Sequence, residues 1–120
     1  MGDDGGVMDL TREQFEDLVG EALDTIPEEF AQRMENVVVL VEDHPPAGRR
    51  ILGLYRGVPL TKRGHMYSGM LPDTIHIYRL PIQRMCSTDE QIVERVRSTV
   101  VHEVAHHFGI GDKRLKELGY

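Results

Sequence analysis

From Ser87 to Gly109 the apolar residues return at helical intervals, and no other stretch so narrows what this chain can fold into. Ile92, Val93, Val96, Val100, Val104 and Phe108 recur at three- and four-residue steps and make one stripe along a helix. Ser87 or Thr88 can cap its start, with Glu90 three residues after Ser87 completing a capping box. Asp89 and Glu90 complement the positive helix end. Gly109 ends it, because glycine enters the left-handed backbone region cheaply and lets the chain turn back. Such a helix lays its apolar face on other elements, so the remainder of the chain must supply a core for it. The opposite face carries His102 and His106, which Gln91, Arg95, Ser98 and Thr99 extend as a polar strip, either solvated or lining a groove. His107 falls near the apolar stripe and reads as a structural histidine.

The polar face carries chemistry. Residues four apart lie one turn above each other, so His102 and His106 can aim both imidazoles at one ion, about 2.0–2.1 Å from each nitrogen. Glu103 is offset by one residue; in an HExxH pattern this carboxylate serves as general base toward a metal-bound water. A catalytic zinc takes a third protein ligand and keeps one position for water. Asp112 is the candidate for that ligand, brought back by the turn at Gly109. Two imidazoles and a carboxylate suit tetrahedral Zn2+, one ion with water as the fourth ligand, although non-haem iron sites use the same donor types.

The rest of the chain is compatible with one domain around this helix. Apolar residues make up 40% and charged residues 28% of 120, ordinary for a globular protein. No apolar run approaches the roughly 18 residues needed to span a bilayer. The start, Met1-Gly2-Asp3-Asp4-Gly5-Gly6, is acidic where a signal peptide would be basic and then apolar, so a cytoplasmic protein is expected. A lone cysteine, Cys86, fits a reducing compartment. A net charge of −6 argues against nucleic acid or an anionic membrane as partner.

Residues 1–8 read as a flexible leader and 9–120 as the domain. Thr11 with Gln14 makes a capping box for a first helix whose stripe is Phe15, Leu18, Val19, Ala22, Leu23 and Ile26. Pro27 fits the first turn of a short second helix reaching about Glu35. Val37 to Val41 reads as a buried strand and Ile51 to Tyr55 as the next. A long loop follows from Gly57 to Pro72. Thr74 to Leu80 reads as a third strand, stopped by Pro81, and prolines on both sides suggest a sheet edge. Asp112 to Leu118 reads as a last short helix with Asp112 as N-cap.

The flanks Asn36-Val37-Val38-Val39, Leu52 to Leu60, Pro72 to Arg79 and Thr99 to Ile110, together with HExxHxxGxxD, resemble the short bacterial minimal zincin or zincin-like metallopeptidase family, from about Asp9 to Tyr120. The resemblance implies a minimal α+β zincin-like fold: a small mixed sheet packed on the active-site helix, with N-terminal helices and a short C-terminal one. It maps His102, His106 and Asp112 onto zinc ligands and Glu103 onto the catalytic carboxylate. It also implies that the strand before the motif helix, through Ile75 and Ile77, pairs with an extended peptide by edge addition. Unlike metzincins, the chain has no third histidine at position 112 and no methionine after the motif.

The expected activity is hydrolysis of peptide bonds in short or unfolded polypeptides, Glu103 taking the proton of the metal-activated water and returning it to the leaving amine. Tyr67, His65 and Arg95 are candidate oxyanion donors. Alternatives are a metal-dependent hydrolase of another bond and a latent module whose zinc only holds the C-terminus to the motif helix. A monomer is slightly favoured.

Overall fold

A computed structural model of the chain describes residues 9–58 and 71–120. The expected leader 1–8 lies outside them, as does most of the Gly57 to Pro72 loop. α1 (Arg12–Leu23) starts at the expected cap: the Thr11 hydroxyl accepts from Gln14 N–H at 3.1 Å, and the Gln14 side chain accepts from Thr11 N–H at 2.9 Å. Phe15, Leu18, Val19 and Ala22 are buried, so the predicted stripe is the packed one. α2 (Glu28–Ala31) follows with Pro27 as its N-cap and tightens into a 3₁₀ turn over Gln32–Met34.

Three strands form a mixed sheet in the order β1-β3-β2, where β1 is Val37–Glu42, β2 Gly53–Arg56 and β3 Asp73–Tyr78. β1 runs parallel to β3, Val39 opposite Ile75 and Val41 opposite Ile77. β2 runs antiparallel to it, Gly53 opposite Ile77 and Tyr55 opposite Ile75. β3 is the central strand, not an edge, with Ile75 and Ile77 fully buried. β1, expected to be buried, alternates: Val37, Val39 and Val41 pack on the core while Val38 and Leu40 are exposed. An edge strand with one face on the core has that period of two.

Pro81 does not simply stop the strand. Backbone direction changes at Tyr78, and Pro81 is the third residue of α3 (Arg79–Arg84), in the first turn where N–H groups lack helical acceptors anyway. α4 (Asp89–Phe108) is the motif helix and α5 (Asp112–Glu117) ends the domain. The cap of α4 lies one residue later than the box predicted from Ser87: Thr88 Oγ1 accepts from Gln91 N–H at 3.1 Å, while Gln91 Oε1 accepts from Ser87 N–H at 2.6 Å. Asp112 likewise is the first helical residue of α5, and Gly111 is the cap.

The core is the space between α1, the sheet and α4. Phe15, Phe30, Ile75, Ile77, Ile82, Ile92, Val96, Val100, Val101, Val104 and Leu115 are essentially inaccessible. At about 25 cal/mol per Å2 of apolar surface, each such side chain contributes about 1.5–3 kcal/mol relative to exposure. Val101 and Ala105 widen the buried stripe of α4 beyond the predicted one, because α1 and the sheet press on it from different sides. Phe108, expected at the end of the stripe, is exposed. Among the described residues no helix is long and apolar enough to cross a membrane.

Candidate functional site

α4 ends as its sequence dictates. Gly109 has φ 73°, the left-handed region, and Ile110 N–H donates to Ala105 O at 2.8 Å across the turn. The chain thereby reverses within three residues and delivers Asp112 to the start of α5, where it is exposed. Arg114, two residues on, donates to Glu29 Oε1 at 2.6 Å and ties α5 to α2. The same contact holds the Glu29 carboxyl below its usual range, the Arg114 hydrogen bond being the main cause.

His102 is half-buried and His106 exposed, their ring centroids 6.2 Å apart with planes at 70°. Two imidazoles on one tetrahedral zinc, at about 2.0–2.1 Å per bond, have centroids about 5.2 Å apart. The observed separation is within about 1 Å of that, which small side-chain rotations close.

Glu103 faces β2. Its Oε1 accepts a hydrogen bond from the backbone N–H of Tyr55 at 3.0 Å, joining the motif helix to a strand 48 residues earlier. The approach that permits it depends on Gly53: a Cβ there would lie 2.6 Å from Thr99 Cγ2 and 3.0 Å from His76 O. Thr99 cannot readily withdraw, since its hydroxyl donates to Arg95 O at 2.7 Å and so fixes the rotamer that aims its methyl at the strand. Tyr55 reinforces the junction: its ring stacks on His107 at 3.9 Å with planes at 18°, and its hydroxyl donates to Asp73 Oδ2 at 2.7 Å. Phe108 meets the His107 ring edge-on at 4.9 Å. His107 is thus exposed and engaged with an edge strand, not set in the apolar stripe where the sequence placed it.

Beside this junction opens a cleft of about 340 Å3, bordered by Leu52 and Gly53 on the strand side and by Arg95, Ser98, Thr99, His102 and Glu103 on the helix side. The polar strip of α4 therefore lines a groove. A family model described as zincin-like metallopeptidase matches residues 34–120.

The chain belongs to that zincin-like metallopeptidase family.

A solved structure of a conserved hypothetical protein from Thermus thermophilus shares the fold, with 24% identity, a TM-score of 0.51, and coverage of 82% of this chain and 94% of that one. No curated protein matches the chain. Membership in the zincin-like metallopeptidases implies use of zinc in general terms. The two helix histidines fit such an ion by donor chemistry and by their separation. Asp112 is not gathered with them: among the described residues no set of three or more His, Cys, Asp or Glu side chains is close enough to hold a metal.

The other predicted residues separate. Arg95 lines the same cleft as Glu103 but lies eight positions away on the helix, about 12 Å along the axis. Ile75 and Ile77 cannot meet a peptide, because both are fully buried in a strand paired on each side. The strand bordering the cleft is β2, which among the described residues has a neighbour only on its β3 side. Tyr67 and His65 lie outside the described residues. Tyr55 and Gly53 were missed by sequence reasoning; the glycine inside an apolar run was the available signal of a close backbone approach.

Proposed function

We propose that this zincin-like metallopeptidase hydrolyses peptide bonds in short or unfolded polypeptides, with Glu103 as general base and His102, His106 and Asp112 as the ligands of one zinc ion. The observation that carries the reading is the half-engaged carboxylate of Glu103 at the lip of the cleft beside His102. Its Oε1 is held by Tyr55 N–H, while Oε2 has no hydrogen-bond partner among the described residues. Oε2 is therefore the atom to take a proton from an attacking water and return it to the leaving amine. A bound zinc would supply acidification of that water and polarisation of the carbonyl. The Tyr55 bond fixes the carboxylate's direction without using its second oxygen. A free, buried Cys86 supports a cytoplasmic setting.

The alternative is a zinc-binding module without turnover, which would need Asp112 as a ligand no less than the peptidase does, since the two helix histidines alone make no three-donor group. A peptide-library cleavage assay on wild type and Glu103→Gln, with metal content measured on the same samples, separates the two. The glutamine keeps an oxygen for Tyr55 N–H, so folding and metal content should hold while cleavage falls by about 10²–10⁴. Equal turnover by both proteins would remove Glu103 from the mechanism. An inert wild type that unfolds on chelation would establish the module.

A further inference from the structure

The cleft that holds His102 and Glu103 does not end at Arg95. It shares Arg95 and Ser98 with a second depression of about 380 Å3 bordered by Met85, Gln91 and Glu94. It shares Ile51 and Leu52 with a third of about 380 Å3 that carries Arg49, Arg50 and Arg84. Met85 borders both of these extensions, so the three depressions adjoin one another along one face, taken together here as a groove.

The charge of this groove opposes that of the chain. The whole sequence carries −6, yet Arg49, Arg50, Arg84 and Arg95 are all exposed here. Among the described residues none of the four has a carboxylate at ion-pair distance, whereas Arg12, Arg79, Arg97 and Arg114 each do. The only described carboxylates bordering the three depressions are Glu103 at one end and Glu94, which is engaged by Arg97. Four guanidinium groups without such partners, on the walls of a groove, are arranged to receive carboxylates, which their planar fork binds with two parallel hydrogen bonds.

We infer that the arginine-lined arms of the groove select acidic polypeptide segments. Arg95 is about 12 Å along the helix from Glu103, and an extended chain advances about 3.3 Å per residue. The acidic side chains therefore sit three to four residues from the bond held beside Glu103. The inference rests on the peptidase reading for its register, and on the geometry alone for its charge preference.

The test uses the full chain carrying Glu103→Gln, with two fluorescein-labelled decapeptides that differ only in having three consecutive glutamates or three glutamines, titrated by anisotropy at low and physiological salt. The glutamate peptide should bind about tenfold more tightly, with a margin that shrinks as salt rises. Arg84→Glu with Arg95→Glu should abolish the margin between the two peptides, and circular dichroism should show both proteins equally folded. Arg84→Gln with Arg95→Gln, which only neutralises the charge, should give an intermediate margin. Equal affinities, no measurable binding of either peptide, or a margin that survives charge reversal would each overturn the proposal. Cleavage of the same peptides by wild type is scored in parallel. A binding preference without cleavage would sink the peptidase reading and leave the acidic groove standing; cleavage without preference would do the reverse.

Discussion

Gly53→Ala tests the junction on which the site is built. The added methyl would lie 2.6 Å from Thr99 Cγ2 and 3.0 Å from His76 O, both well inside ordinary contact. Thr99 is pinned by its hydrogen bond to Arg95 O and His76 O belongs to the central strand, so β2 itself must move. Overpacking of this kind costs about 1–3 kcal/mol. For a domain of this size that corresponds to a melting temperature lower by about 4–12 °C. Thr99→Ser keeps the hydroxyl and removes the obstructing methyl, so the double variant should recover more than half of the loss; the coupling from a double-mutant cycle is the quantity to measure, by urea unfolding. Displacing β2 also draws Tyr55 N–H away from Glu103, so kcat should fall with metal content unchanged. A Gly53→Ala protein as stable as wild type, or one that Thr99→Ser does not relieve, would refute the close-approach argument.

Asp43 gives a pH signature. The Arg79 hydrogen bond at 3.0 Å, with further attraction from Arg79, Arg12 and His44 against some desolvation, holds its carboxyl below the ordinary 3.8. A depressed carboxylate stabilises the fold fully above its unfolded value and loses that contribution as pH falls through the folded one. Wild type should therefore exceed Asp43→Asn in urea stability at neutral pH, the gap closing only below about pH 3.8; a constant gap down to about pH 2 would contradict the assignment. Cys86 is 4% exposed, and burial pushes its thiol up despite the nearby Arg95. Its reaction with a disulfide reagent at about pH 8 should run at the rate of unfolding, and immediate stoichiometric labelling of native protein would contradict the burial.

Local signals explain what was legible in the sequence. The Thr11–Gln14 box, the α4 stripe from Ile92 to Val104 and the left-handed Gly109 are each decided by residues within one or two helical turns, and these stand as the sequence indicated, while Phe108 at the end of the stripe does not. The strand roles were not legible, because whether β3 is central depends on segments 20 to 36 residues earlier that flank it. The flanking prolines misled for separate reasons: Pro72 precedes the strand and Pro81 opens a helix. The bond between Glu103 and Tyr55 spans 48 residues and involves a backbone group, so no side-chain pattern announces it. The histidine pair follows from helical spacing alone, whereas the place of Asp112 depends on how α5 docks through Arg114 and Leu115.

A strand edge that has no neighbour among the described residues invites a second copy of the same chain to add to the sheet. Along β2, the Tyr55 N–H that such a neighbour would seek is already bonded to Glu103, and the ring of Tyr55 is drawn over His107. A carboxylate and a satisfied donor thus stand where such pairing would begin. Truncating Glu103 to alanine would remove the proposed base and leave the Tyr55 N–H without this acceptor at once. Glutamine, which still accepts from the strand, is the substitution that isolates the chemistry.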